Sequence, residues 1–93
     1  MSLVVRIPTP LRVATNGLDK AEVEGDTLSE VIDSLESQYP GIKERLCDVS
    51  GDLRHFVNIY INGEDVRFLD GLKTGTSDGD EISVVPAVAG GSR

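Results

Sequence analysis

Residues 25–41 read Gly25-Asp26-Thr27-Leu28-Ser29-Glu30-Val31-Ile32-Asp33-Ser34-Leu35-Glu36-Ser37-Gln38-Tyr39-Pro40-Gly41. Leu28, Val31, Ile32, Leu35 and Tyr39 recur at the spacing of one helical face, while Glu30, Asp33, Ser34, Glu36 and Ser37 cover the other side. Thr27 and Glu30 stand at capping-box spacing, so each side chain can satisfy a free backbone N–H at the other residue. Pro40-Gly41 ends the run. A helix with one apolar stripe needs one apolar surface to lie on.

The rest of the chain supplies that surface as short strands. Downstream, Phe56-Val57-Asn58-Ile59-Tyr60-Ile61 alternates, with Val57, Ile59 and Ile61 on one face and Phe56, Asn58 and Tyr60 on the other. Asn62-Gly63 then marks a hairpin, because a type I′ turn needs positive φ at both central residues. Glu64 to Phe68 is expected to pair back, and Asp80 to Pro86 forms a last strand with Ile82 and Val84 facing inward. Upstream, Leu3, Val5 and Ile7 alternate with Val4 and Arg6, and Pro8 and Pro10 stop that strand or hold it at an edge. Asn16-Gly17 turns the chain, and Lys20 to Glu24 returns as a short polar strand. Ile42 to Cys47 fits a second, short helix; Asp48 to Arg54 and Asp70 to Gly79 read as loop and turn. The expected fold is α+β: a mixed sheet of four or five strands with one main helix across one face.

Ninety-three residues with 39% hydrophobic content suit one domain with one core and leave little room for a deep cavity. No apolar run approaches the ~20 residues that span a bilayer. Residues 1–6 lack the layout of a secretory signal. A single cysteine, Cys47, excludes an internal disulfide and permits a reducing compartment, so the expected location is the cytoplasm. The formal net charge is −7. That is the opposite of the basic footprint by which proteins neutralise phosphates, and it disfavours nucleic acid and anionic membranes alike. It suits basic protein partners, or it serves solubility alone.

The end of the chain is unlike the rest. Val84-Val85-Pro86-Ala87-Val88-Ala89-Gly90-Gly91-Ser92-Arg93 starts as a strand and finishes in small residues. Proline should release the chain from the sheet, and each glycine costs about 1 kcal/mol in a helix relative to alanine. Residues 1–86 are therefore expected to fold and 87–93 to form a flexible tail. From Pro86 to Gly91 an extended chain reaches about 17 Å, at roughly 3.3–3.6 Å per residue. Such a wire can enter a partner's narrow channel and present a carboxyl group there. Parity adds a second expectation. If the helix covers Val5, Ile59 and Val84, then Val4, Tyr60 and Val85 lie on the open face, as a docking patch at the tail's root or as scattered exposed residues.

Asp26-Thr27-Leu28, Phe56-Val57-Asn58-Ile59-Tyr60-Ile61-Asn62-Gly63, Asp78-Gly79-Asp80-Glu81 and the Pro86-to-Gly91 tail together resemble the β-grasp (ubiquitin-like) sulfur carriers of the MoaD/ThiS family. The likeness covers nearly the whole chain. It looks nearest the CysO type through Phe56-Val57-Asn58-Ile59-Tyr60, Glu64-Asp65-Val66-Arg67-Phe68 and Pro86-Ala87-Val88-Ala89-Gly90-Gly91. The resemblance implies that a ubiquitin-activating-type adenylyltransferase spends ATP to adenylate the Gly91 carboxylate, and that sulfur displaces AMP to leave a thiocarboxylate. Gly90, Ala89 and Val88 would thread the tail into partners, and Val4, Tyr60 and Val85 would dock the body. The CysO type further implies a PLP-dependent cysteine synthase as acceptor and a zinc peptidase releasing cysteine. The carrier itself is expected to be no enzyme and to bind no cofactor or metal. Ser92-Arg93 departs from the pattern: a peptidase removes the dipeptide, or it is foreign to the natural chain.

Four further groups of residues are of types that can carry chemistry. Cys47 is a nucleophile candidate without an identifiable base, and packing explains it as well. His55 is the only histidine and cannot make a metal site alone. Asp78, Asp80 and Glu81 read as an acidic dyad, a cation site or a basic-partner contact, or as a turn. Gly90-Gly91 is no phosphate loop, since neither Lys-Ser/Thr nor a helix follows. Three functions stay open: a sulfur donor for cysteine or another sulfur metabolite, a ubiquitin-like modifier joined to lysines, and the small subunit of a complex such as molybdopterin synthase. The receiving pathway and the oligomeric state are not legible in these residues.

Overall fold

The computed structural model describes residues 2–86. In chain order these form β1 (Leu3–Arg6), a 3-10 helix (Thr9–Thr15), β2 (Lys20–Val23), α1 (Leu28–Gln38), α2 (Ile42–Leu46), β3 (Val57–Ile61), β4 (Glu64–Asp65), two 3-10 turns (Val66–Phe68 and Gly71–Lys73) and β5 (Glu81–Pro86). The sheet has five strands in the order β2-β1-β5-β3-β4. β5 runs parallel to β1 and antiparallel to β3, so the last strand lies at the centre. A mixed sheet with one main helix across one face is the β-grasp fold expected above.

Period-2 alternation places Leu3, Val5, Ala21, Val23, Val57, Ile59, Ile61, Ile82 and Val84 on the covered face, all buried. Leu28, Val31, Ile32 and Leu35 of α1 pack against them, and Ile42, Leu46 and Cys47 close one end. Their burial removes most of the apolar surface of both layers from water, and each large side chain contributes about 1.5–3 kcal/mol.

The cap of α1 forms with one difference from expectation. Thr27 Oγ1 accepts the Glu30 N–H at 3.3 Å, but the Glu30 carboxylate takes the N–H of Asp26, at 2.9 Å, rather than that of Thr27. The Asn62-Gly63 turn has φ of 51° and 90°, positive at both positions as the type I′ geometry requires.

Two expectations need correction. Glu64 to Phe68 does not pair back throughout: β4 ends at Asp65, whose carboxylate accepts the Arg67 N–H at 2.8 Å and starts a 3-10 turn. That turn drops Val66 into the core at 0% exposure. Residues after Pro8 are more than a stop. Thr9–Thr15 coils into a 3-10 helix with proline in its first turn, burying Leu11 and Thr15. Thr15 Oγ1 bonds the Leu18 carbonyl at 2.9 Å, so the buried hydroxyl is satisfied.

Candidate functional site

Gly91, Gly90, Ala89 and Val88 lie outside the described residues, as does the division between a body of 1–86 and a tail of 87–93. The structure does describe the last strand as far as Pro86. β1 flanks β5 only as far as the Arg6–Ser83 pair, whereas β3 continues to Val57–Pro86. Pro86 thus stands at the last described position of β5 with a neighbour strand on one side only, where a missing backbone donor costs least.

The open face of the sheet carries the expected patch residues in separate rows. One row crosses all five strands: Lys20, Arg6, Ser83, Tyr60, Asp65. Val4 belongs to the next row, between Glu22 and Glu81, and Val85 to the row of Asn58. Val4 and Tyr60 are half-buried and Val85 is 43% exposed. Tyr60 and Val85 are diagonal cross-strand neighbours, a relation that leaves their side chains within reach. Val4 is set apart from them by the Arg6–Glu81 ion pair, 2.8 Å long.

Register reveals what alternation alone does not. Arg67 reaches across from the 3-10 turn to Asn58 Oδ1 and donates to the Arg54 carbonyl at 2.8 Å. Phe56, one residue before the Val57–Pro86 pair, is 51% exposed. Beside the end of β5 lies a cleft of about 300 Å³ lined by Arg6, Arg12, Asp19, Lys20, Ser83 and Val85. Arg12 is held there by its Nε, which donates to the Ile7 carbonyl at 3.1 Å.

The remaining candidates are a buried thiol, an exposed imidazole and carboxylates engaged in a turn. Cys47 is 4% exposed just past α2, and burial pushes its thiol above the ordinary range, which suppresses the reactive thiolate. His55 is exposed beside Arg54. Asp78 accepts the Ser2 N–H at 2.6 Å, and Asp80 accepts from Ser77 N and Asn62 Nδ2 at 2.8 and 3.0 Å. These carboxylates tie the turn before β5 to the chain's start and to the β3–β4 hairpin. Among the described residues no His/Cys/Asp/Glu group is arranged to hold a metal ion, and no helix is long and apolar enough to cross a membrane.

A chain of the Amycolatopsis orientalis BexX/CysO complex superposes with a TM-score of 0.90 at 46% identity, over 95% of this chain and 98% of that one. The sulfur carrier protein CysO of Mycobacterium tuberculosis is 54% identical over 93 residues, which is 98% of this chain and 100% of that protein. Small archaeal modifier protein 3 of Haloferax volcanii is 45% identical over 65 residues, 70% of each chain. Residues 5–91 match the ThiS family, a span that runs from β1 through Gly90-Gly91. The chain belongs to the ThiS family.

Proposed function

We infer that this chain is a sulfur carrier of the CysO type, a folded body that partner enzymes identify and a C-terminal glycine that they charge. The observation that carries this reading is the 54% identity to CysO across nearly the whole length, with the family match ending at Gly91. Residues 1–86 are the body and 87–93 the tail. After removal of Ser92-Arg93, a Gly91 carboxylate oxygen attacks the α-phosphorus of ATP on a ubiquitin-activating-type enzyme, and pyrophosphate leaves. A sulfur nucleophile then attacks the acyl carbon, and AMP departs with the C–O bond. The resulting thiocarboxylate is ionised at neutral pH and nucleophilic at sulfur.

Glycine at 90 and 91 lets the backbone pass a constriction without a Cβ clash. Tyr60 and Val85 contribute apolar contact at the root, and Val4 extends the same face. The carrier holds no cofactor and catalyses nothing; ATP is consumed by the partner. The acceptor is a PLP-dependent cysteine synthase, with a zinc peptidase releasing cysteine afterwards, and the setting is the cytoplasm.

The test is incubation of two chains, one ending at Gly91 and one at Arg93, with the activating enzyme of the same genome, ATP and a sulfur source. Intact mass should show oxygen-to-sulfur exchange on the shorter chain only. Equal reaction of both chains, or of Gly91→Ala, defeats the assignment. A modifier role is favoured by the similarity to small archaeal modifier protein 3. Isopeptide adducts of Gly91 on target lysines, found by mass spectrometry of cell extracts, would establish it.

A further inference from the structure

We propose that the cleft beside the end of β5 is a socket for an acidic segment of the enzyme that charges the tail; this rests on the sulfur-carrier reading above. The chain as a whole carries a formal charge of −7, yet this corner is basic. Arg6 and Lys20 stand directly opposite each other on antiparallel strands, on the exposed face. Like charges so placed destabilise a sheet. Glu81 pairs with Arg6, whereas Lys20 has no ion-pair partner among the described residues. Arg12 spends its Nε on the Ile7 carbonyl, which fixes the guanidinium at the rim and leaves its terminal nitrogens without a partner among the described residues. Asp19 is the one carboxylate lining the cleft.

Three cations therefore line one cleft beside Ser83 and Val85, in a molecule that is otherwise strongly acidic. An acidic segment of the partner would turn the Arg6–Lys20 repulsion into a shared grip and align the tail with the partner's channel. Field complementarity of this kind accelerates encounter and fixes register. A long polyanion such as nucleic acid fits poorly, because the surrounding acidic surface repels it beyond the cleft. A short acidic segment fits a cleft of about 300 Å³.

Lys20→Glu and Lys73→Glu change the net charge equally, but Lys73 lies in the Gly71–Lys73 turn away from the cleft. With the activating enzyme of the same genome and a chain ending at Gly91, Lys20→Glu should raise the KM for the carrier at least about threefold, as expected for a rim charge. Lys73→Glu should leave that KM near the native value. Added salt should raise the native KM and narrow its difference from Lys20→Glu. Lys20→Glu should also melt at or above the native temperature, because it replaces a like-charge pair by an opposite one. Equal KM values for Lys20→Glu and native chains, or equal effects of both variants, overturn the socket. If the enzyme adenylates no chain, the sulfur-carrier reading falls instead. The socket is then read by titrating 15N-labelled protein with a deca-glutamate peptide: amide shifts at Arg6, Lys20 and Ser83 that vanish in Lys20→Glu sustain it, and their absence, or equal shifts with single-stranded DNA, overturns it.

Discussion

Val57 stands opposite Pro86 in the last described pair of the β3–β5 ladder, three residues beyond Ser83, the last residue of β5 that β1 flanks. Pro86 is thus held on one side and open on the other, with Val85 exposed beside it. If partners read this face, Val85→Asp should raise the carrier's KM with the activating enzyme by about tenfold, the equivalent of roughly 1.4 kcal/mol. Its cost to stability should stay within about 1 kcal/mol, the span of strand propensities. Urea unfolding and AMP-transfer kinetics on the same preparations separate the two effects. An unaltered KM would remove Val85 from the docking face.

Gly25 joins β2 to α1 at a point of close approach. A Cβ there would lie 2.7 Å from Val31 N and 2.9 Å from Val31 Cγ2, closer than real contacts allow. The obstruction is backbone of the first helical turn, which cannot rotate away. Gly25→Ala should therefore cost about 1–3 kcal/mol, as overpacking does. Gly75→Ala, whose Cβ would meet only Asp26 O at 4.0 Å, should stay within about 0.5 kcal/mol of native. The urea midpoint reports both, and a similar loss at the two positions would refute the steric account.

Where side-chain period, caps and turn chemistry agree, the fold was legible. Thr27 with the Leu28–Leu35 stripe located α1, and Asn62-Gly63 located the hairpin, because each depends on neighbours a few residues apart. Parity places Val5, Ile59 and Val84 inside and Val85 outside. What escaped depends on long-range register or on a local competitor. Val66 and Phe68 alternate like a strand, yet the Asp65 carboxylate captures the Arg67 N–H and winds the chain into a 3-10 turn. The adjacency of β1 and β5, and with it the Arg6–Lys20–Ser83 corner, joins residues far apart in sequence. The open face follows the same rule: Phe56 and Arg67 gain their positions from the strand register and a turn, while Val4 is separated from Tyr60 and Val85 by an ion pair.

Glu36 near the end of α1 caps the next helix. Its carboxylate accepts the Lys43 N–H at 2.9 Å and the Gly41 N–H at 3.1 Å. Those two donors, the Lys43 amide foremost, hold its pKa below the ordinary 4.5, outweighing partial burial. A depressed native pKa means that the unfolded chain binds protons first, so the stabilisation is complete above 4.5 and is lost as pH falls through the lower native value. Glu36→Gln should accordingly be less stable than native at neutral pH, and the gap should shrink below pH 4.5. Parallel urea melts at neutral and acid pH decide it; a gap independent of pH would mean that the carboxylate's charge contributes nothing.

Cys47 supplies the last prediction, because its buried thiol can be told apart from a thiocarboxylate at Gly91. At 4% exposure and with its thiol pKa raised by burial, it presents little thiolate to an alkylating reagent while the domain is folded. A thiocarboxylate at Gly91 would be ionised at neutral pH. Iodoacetamide should thus leave the folded, uncharged chain unlabelled and modify Cys47 only in denaturant. On the thiocarboxylated chain it should add one group, and fragment masses should place that group at the C-terminus. Labelling of Cys47 in the folded chain at the rate seen in denaturant would contradict its place in the core. A charged chain that resists labelling at Gly91 would show that its sulfur is not the exposed nucleophile that transfer to an acceptor requires.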